Sequence, residues 1–297
     1  MKNIYIIADS KKDYRYERIA EEAKKRNNKI AIIFCSSYDL ILTSEGVFLN
    51  GKKLDFNKKD FFWFLSNATM NFFAIHKISS LGMKNIWPSK EALNFADKFL
   101  TSVFFEKNNI PTPKTTLLRF TSNEELSELV KFLGGYPLVM KKNVGSVGRD
   151  VRIVKSNQEI LEFIREVHQR LEKKENHASR IGFILQEFIE ESAGTDFRVL
   201  ILGGKILGVM KRTSQDGGFK ANVSLGGKAE VADLDKKLKF LAKKIVKAGK
   251  LFYGGVDFIK KGDQYLALEI NTSAQFKGFE GATGINVANE IVKKISK

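Results

Sequence analysis

Residues 254–275 read GGVDFIKKGDQYLALEINTSAQ, and their alternation is the strongest structural signal in the chain. Two apolar-rich runs flank a Lys-Gly-Asp turn signal around Gly262, which is the pattern of a β-hairpin. A hairpin centred there sets Asp257 within about one residue of Glu269 on the partner strand. Side chains alternate along a strand, so Glu269 and Asn271 share a face. Three oxygen-bearing side chains then converge with no Lys on that face to compensate them. Left alone, such a cluster repels itself and is costly to bury; a hard divalent cation makes it favourable. A solvated hairpin edge with acidic decoration fits the same residues, and this segment alone leaves both readings open.

Upstream, residues 136–154 read YPLVMKKNVGSVGRDVRIV. Positions 137–142 and 151–154 carry strand patterns around the loop Asn143-Val144-Gly145-Ser146-Val147-Gly148. Gly145 and Gly148 open backbone conformations closed to other residues, letting amide hydrogens turn toward an anion. A Walker A loop is excluded, because no Gly-Lys-Ser/Thr follows and a strand comes where a helix is required. The protein-kinase arrangement is excluded too: its lysine follows the loop, whereas Lys141 precedes it. A hairpin flap over phosphates with Lys141 at its base remains, beside an ordinary glycine-rich turn.

Further pieces lie downstream. Gln186-Glu187-Phe188-Ile189 closes an apolar strand starting at Gly182, and offers backbone groups and one carboxylate to a purine edge. Asp196 and Arg198 are two apart in TDFRVLILGG, hence on one face and adjacent, as in a structural ion pair. Arg212 follows Lys211 within the strand pattern KILGVMKRT. Lys220 and Asn222 lie in a Gly-flanked loop and have no evident packing role.

The remainder of the chain frames these motifs. At 297 residues and 43% hydrophobic content it buries a large core and divides into two or three lobes. Runs at 4–8, 29–34 and 61–65 read as buried strands, with an amphipathic helix at 13–27 between the first two. Asn50-Gly51 predicts a hairpin joining 40–49 to 52–56, and helices are expected at 69–81 and 89–108. The first ninety-odd residues therefore read as an open α/β sheet. A single cysteine, Cys35, excludes internal disulfides and suits a reducing cytoplasm. No run reaches the length of a membrane span, and the start is strand-like. His76, His168 and His177 lack metal-ligand spacing. The net charge of +16 favours anionic partners, but it is spread over Lys-rich helix faces and not gathered in a tail.

In their order and spacing, these motifs resemble the ATP-grasp superfamily and, within it, the RimK-like glutamate ligases. The resemblance runs collinearly from about Asp97-Lys98 to Val287, through PLVMKKNVGSVG, QEFIEESAGTDFRVLILGGKILGVMKR, GGVDFI and LEINTS. It implies an α/β fold of α+β lobes: an N-terminal open α/β domain at 1–95, a central flap subdomain at 96–185, and a C-terminal antiparallel-sheet subdomain at 186–297. It implies that Lys141 and, by a weaker match, Lys98 contact nucleotide phosphates, with Gly145, Ser146, Val147 and Gly148 covering them. Gln186, Glu187, Phe188 and Ile189 would form the adenine hinge, Asp196 would lie near the ribose, and Lys220 and Asn222 near the phosphate end. Asp257, Glu269 and Asn271 match the family's ligands for Mg2+ or Mn2+, as a pair of ions. Arg212 matches an arginine near the transferred phosphoryl group, and Arg198 would contact substrate. Two departures bear on specificity: Ala274-Gln275 replaces the usual Pro-Gly, and Arg149-Asp150 replaces an apolar-glycine pair.

The implied activity is an ATP-dependent carboxylate-amine ligase, joining glutamate or another amino acid to an acidic peptide or protein. A small-molecule ligase resembling glutathione synthetase is the alternative within that class. Related ligases are often homo-oligomers. A basic nucleic-acid-binding protein would suit the charge, but no zinc, helix-turn-helix or RNA-recognition signature accompanies it. A nucleotide-binding scaffold without catalysis is opposed by the intact ligand set.

Overall fold

The computed structural model describes residues 2–25, 30–36, 39–66, 69–118, 122–145, 150–172, 182–215, 217–219, 221 and 226–296. Its opening strand β1 (Lys2–Ala8) is buried from Ile4 onward, as a strand covered on both faces must be. Helix α1 (Tyr14–Lys24) follows, with the Asp13 carboxylate accepting from the Arg15 amide as its N-cap. The chain returns as β2 (Ile30–Ser36), parallel to β1. A small antiparallel sheet of β3 (Leu40–Thr43), β4 (Gly46–Leu49) and β5 (Lys52–Lys53) is then inserted. Asn50-Gly51 does turn the chain, but the expected strand at 40–49 is itself folded into a hairpin by a turn at Ser44-Glu45. β6 (Phe61–Phe64) pairs in parallel with β1, and after α2 (Thr69–Ser80), β7 (Ile86–Trp87) completes the order β2-β1-β6-β7.

The helix expected at 89–108 is two pieces. Glu91–Ala96 is a 3-10 turn, and Asp97 leaves helical geometry to cap α3 (Lys98–Lys107) through the Leu100 amide at 2.8 Å. The central sheet comprises β8 (Thr115–Leu118), β9 (Leu138–Lys142), β10 (Val151–Val154) and β11 (Phe183–Glu187), in the antiparallel order β10-β9-β11-β8. Helices α4 (Asn123–Phe132) and α5 (Asn157–Glu172) cover one face, where Leu138, Met140, Phe183 and Leu185 form the core. Strand alternation sends Lys141 and Gln186 to the opposite face.

The last sheet has five antiparallel strands. β12 (Thr195–Leu202), β13 (Lys205–Thr213), β14 (Lys228–Val231), β15 (Tyr253–Lys261) and β16 (Gln264–Asn271) adopt the order β14-β13-β12-β15-β16. α6 (Lys236–Gly249), α7 (Lys277–Thr283) and α8 (Val287–Ile295) pack against it. One core joins this sheet to the N-terminal one: Trp63 meets Tyr253 edge-on at 5.0 Å, and Trp87 lies 6.0 Å from Phe252. β16 is also tied to the segment entering β8, by Ala267 N to Pro111 O and Thr112 Oγ1 to Ala267 O, both at 2.8 Å.

The segment leaving β16 is gripped from several sides. Arg15, 5% exposed, donates to Ser273 O at 2.5 Å, to Leu65 O at 2.7 Å and to the Asp13 carboxylate. Trp87 Nε1 donates to Thr272 O at 3.0 Å, and Tyr253 OH to Ala274 O at 2.6 Å. Arg15→Ala strands two buried carbonyls and a capping carboxylate. The expected cost is about 3 kcal/mol, visible as a lower urea midpoint at unchanged slope.

Candidate active site

At the turn Lys261 pairs with Gln264, a register that alone would set Asp257 opposite Leu268; shifted by one residue, Asp257 faces Glu269 and Gly255 faces Asn271, within the one-residue span the sequence allows. A bulge between Asp257 and Phe258 follows, a device that re-aims side chains beside a site. Contrary to the expectation of an uncompensated acidic face, two arginines close on Asp257. Arg198, its partner across β12, donates Nε to Oδ1 and Nη2 to Oδ2, each at 2.6 Å. Arg212 Nη2 adds a bond to Oδ2 at 2.8 Å, and its Nε and Nη2 reach Asp196 at 2.5 and 2.6 Å. Asp196 therefore pairs across strands with Arg212, not along its own strand with Arg198. Directly opposed residues lie closer than an i,i+2 pair, and that proximity decides the partner.

Burial would raise the Asp257 carboxyl, but Arg198 and Arg212 hold it well below the usual carboxylate range. For Asp196 burial dominates, and the negative Asp257 adds to it, pushing the group up to about 6 despite Arg212. Gly255 makes room for this arrangement. A Cβ there would lie 3.0 Å from Arg198 Cδ and Nε and 3.2 Å from the Ala274 methyl.

Lys141 is half-buried on the central sheet and donates to Gln186 Oε1 at 2.8 Å. Gln186 in turn donates to Thr115 Oγ1 at 2.8 Å, and Thr115 to Pro113 O at 2.9 Å. The Gln186 side chain thus orients a lysine and is not free for a purine edge. Desolvation lowers the Lys141 pKa to about 8; Glu269 opposes that shift and Lys98 reinforces it. Desolvation also lowers Lys98, against Glu269 and Asp97. Glu269 is the leading favourable charge on both lysines, so the cations of α3 and β9 lie within electrostatic reach of the hairpin's carboxylate.

Lys98 Nζ donates to Gly145 O at 2.9 Å, and Asn143 ties the same corner together. Its side chain donates to Asp97 Oδ2 at 2.5 Å and accepts from the Phe99 amide at 2.9 Å, while its amide donates to Gly182 O at 2.8 Å. Asn143 and Thr115 carry no motif signal, because their partners are distant in sequence. Ser146, Val147, Gly148, Arg149, Lys220 and Asn222 lie outside the described residues. Asp150, part of one departure, anchors the flap's return strand through ion pairs with Arg170 and, at 3.8 Å, Lys142. Ala274, part of the other, is buried, and Gln275 is exposed.

Glu187, Phe188 and Ile189 line a cleft of about 470 Å³ with Glu190, Glu191 and Lys261. Its acidic wall suits an uncharged ring and not phosphates, whose complement is the Lys98–Lys141 end. Lys261 Nζ reaches Glu187 at 2.5 Å, and the hairpin turn is pinned by Gly262 N donating to Glu191 at 2.8 Å.

Glu269, with a 40% exposed side chain, and Asn271 offer an open carboxylate and an amide oxygen. With Asp257 they form the hard-oxygen set a divalent cation requires, although the Asp257 oxygens are shared with guanidiniums. Among the described residues no cluster of three His, Cys, Asp or Glu side chains exists, so the amide of Asn271 is needed to complete the set.

Comparison with known proteins agrees with this architecture. The family model of the RimK-like ATP-grasp domain matches residues 95–295. A probable alpha-L-glutamate ligase of Legionella pneumophila (strain Corby) is 34% identical over 223 residues, covering 75% of this chain and 70% of that protein. The RimK domain ATP-grasp protein of Sphaerobacter thermophilus superposes with a TM-score of 0.72 at 17% identity over 98% of both chains. The ATP-grasp ligase PsnB, solved with a variant of a minimal precursor, Mg and ADP, gives 0.70 at 14% identity over 99% of this chain and 98% of that one. The chain belongs to the RimK-like ATP-grasp family, and is an ATP-dependent ligase. No helix among the described residues is long and apolar enough to cross a membrane.

Two outcomes are expected. Asp257→Ala leaves Arg198 and Arg212 buried without their shared carboxylate and destabilises the fold by about 3–5 kcal/mol in urea titrations. ATP affinity, followed by calorimetry, is expected to fall as pH rises through about 8, where Lys141 loses its proton and with it the charge that would attract a phosphate. Lys141→Met removes that pH dependence. The stability sign is opposite: the unfolded lysine titrates near 10.5, so its burial cost fades as pH rises from about 8 toward that value.

Proposed function

We propose that this ligase forms an amide between an amino acid, glutamate first, and a carboxylate on an acidic peptide or protein. The observation that carries the reading is that Lys98 and Lys141 both stand within the electrostatic reach of Glu269, which faces Asp257 across the hairpin. A carboxylate resists attack by an amine because its leaving group is poor. Its oxygen attacks the γ-phosphorus of ATP, the bond to the bridging oxygen breaks, and ADP departs. The acylphosphate then accepts the amine at its carbonyl carbon, phosphate leaves, and the amine gives up a proton.

In that sequence Lys141 and Lys98 bind phosphate oxygens, with Gln186 holding Lys141 in place. Arg212, fixed by Asp196 and Asp257, brings preorganised positive charge toward the transferring group. Arg198 stands beside it for a substrate carboxylate. Asp257, Glu269 and Asn271 would hold magnesium, which supplies charge neutralisation on the phosphates. The Gly145–Gly148 loop excludes water from the acylphosphate. Relatives named probable alpha-L-glutamate ligases support glutamate, and PsnB, solved with a precursor, supports a peptide acceptor.

The test is ADP release from ATP across a panel of amino acids with acidic peptides and with small carboxylic acids, followed by mass spectrometry. Glutamate-dependent release with one glutamyl increment on a peptide supports the reading. Release only with small acids moves the enzyme to the small-molecule class. Glu269→Gln, at an open position, is expected to shift stability by less than about 0.5 kcal/mol while abolishing release. Full turnover by that variant would falsify the metal assignment.

A further inference from the structure

A second cleft, of about 620 Å³, lies on the outer side of the β15–β16 hairpin against α6, away from the lysine-lined site. Its floor is apolar, built from Leu241 and Tyr265, which are 9% and 3% exposed. Phe240 stands in its wall with 65% of its surface open to water. Lys236, Lys237 and Lys261 surround this apolar patch, against one lining carboxylate, Asp263. An aromatic ring left in water beside the Lys236 and Lys237 ammonium groups, with Lys261 already paired to Glu187, is matched by a segment carrying an apolar side chain between carboxylates.

We propose that this cleft docks an acidic peptide segment, with one apolar residue set beside Phe240, belonging to the acceptor polypeptide. The inference rests on the acidic-peptide reading above and adds to it a binding surface remote from the reacting groups. Lys261 connects the two regions, since it lines this cleft and also contacts Glu187 in the hinge cleft. A docked segment therefore runs toward the nucleotide end of the enzyme. Single-stranded nucleic acid fits less well. Stacking uses successive exposed rings, whereas Tyr265 is buried and Phe240 stands alone, and Asp263 repels a phosphate backbone.

The experiment is fluorescence anisotropy of the full chain with a labelled glutamate-rich peptide carrying one central phenylalanine. Phe240→Ser and the double variant Lys236→Glu/Lys237→Glu are compared with the parent chain. ATP-dependent thermal stabilisation, which both variants retain, shows that fold and nucleotide site are intact. Salt-sensitive binding by the parent chain, weakened about tenfold or more in each variant, supports the proposal. Absent binding at low salt, or equal binding by parent and variants, overturns it. So does an oligouridine that binds more tightly than the peptide and loses affinity in the same variants. If the peptide docks but no acceptor is glutamylated, the docking surface stands and the ligase reading above fails separately.

Discussion

Burial of one carboxylate between two guanidiniums is the constraint around which the C-terminal sheet is arranged. Asp257 sits near the middle of five strands, where an unpaired charge would be expelled or neutralised. Arg198 and Arg212 reach it from two neighbouring strands, and Asp196 completes the balance of two positive and two negative groups. Such a network contributes little to stability by itself, because each ion gives up its hydration. Its effect is on position. Three strands must keep one register for the four groups to meet, so the two guanidiniums are fixed in place by the sheet itself.

The same logic extends outward through hydrogen bonds to backbone carbonyls. The residues after β16 would otherwise be an open loop at the end of the strand that carries Glu269 and Asn271. Arg15, Trp87 and Tyr253 take their carbonyls as acceptors, and Ser273 Oγ donates to Phe64 O at 3.3 Å. The N-terminal sheet thereby becomes a backing for Asn271. On the other side, Asn143 connects Asp97, Phe99 and Gly182, so the helix bearing Lys98 and the strands flanking the flap are set together.

The parts of this design that are written locally could be read from the chain. A short turn at Gly262 and a side-chain period of two bring Asp257 to within one residue of Glu269, and the bulge beside Asp257, which the turn does not announce, sets the two directly opposite. The apolar run at Phe61–Phe64 could only be a strand covered on both faces. The unreadable parts are those decided by distant partners. Residues 89–108 all tolerate a helix, and the break at Asp97 reflects its bond to Asn143, 46 positions away. Arg198 lies two residues from Asp196 but bonds Asp257, 59 positions off, because sheet order brings them opposite. Gln186 shows the same limit: its place in the strand was plain, but its bond to Lys141 depended on two strands pairing.

Gly255 bears on how such a site can diverge. The Arg198 stem lies 3.0 Å from where a side chain at 255 would begin, so any substituent there requires that arginine, held by Asp257, to give way. A lineage that replaces Arg198 by a smaller residue gains freedom at 255 only afterwards. One that alters 255 first displaces a guanidinium and exposes a buried negative charge to an unmatched field. The two positions are therefore coupled in one order: loss of the arginine eases a side chain at 255, whereas a side chain at 255 presses on the arginine.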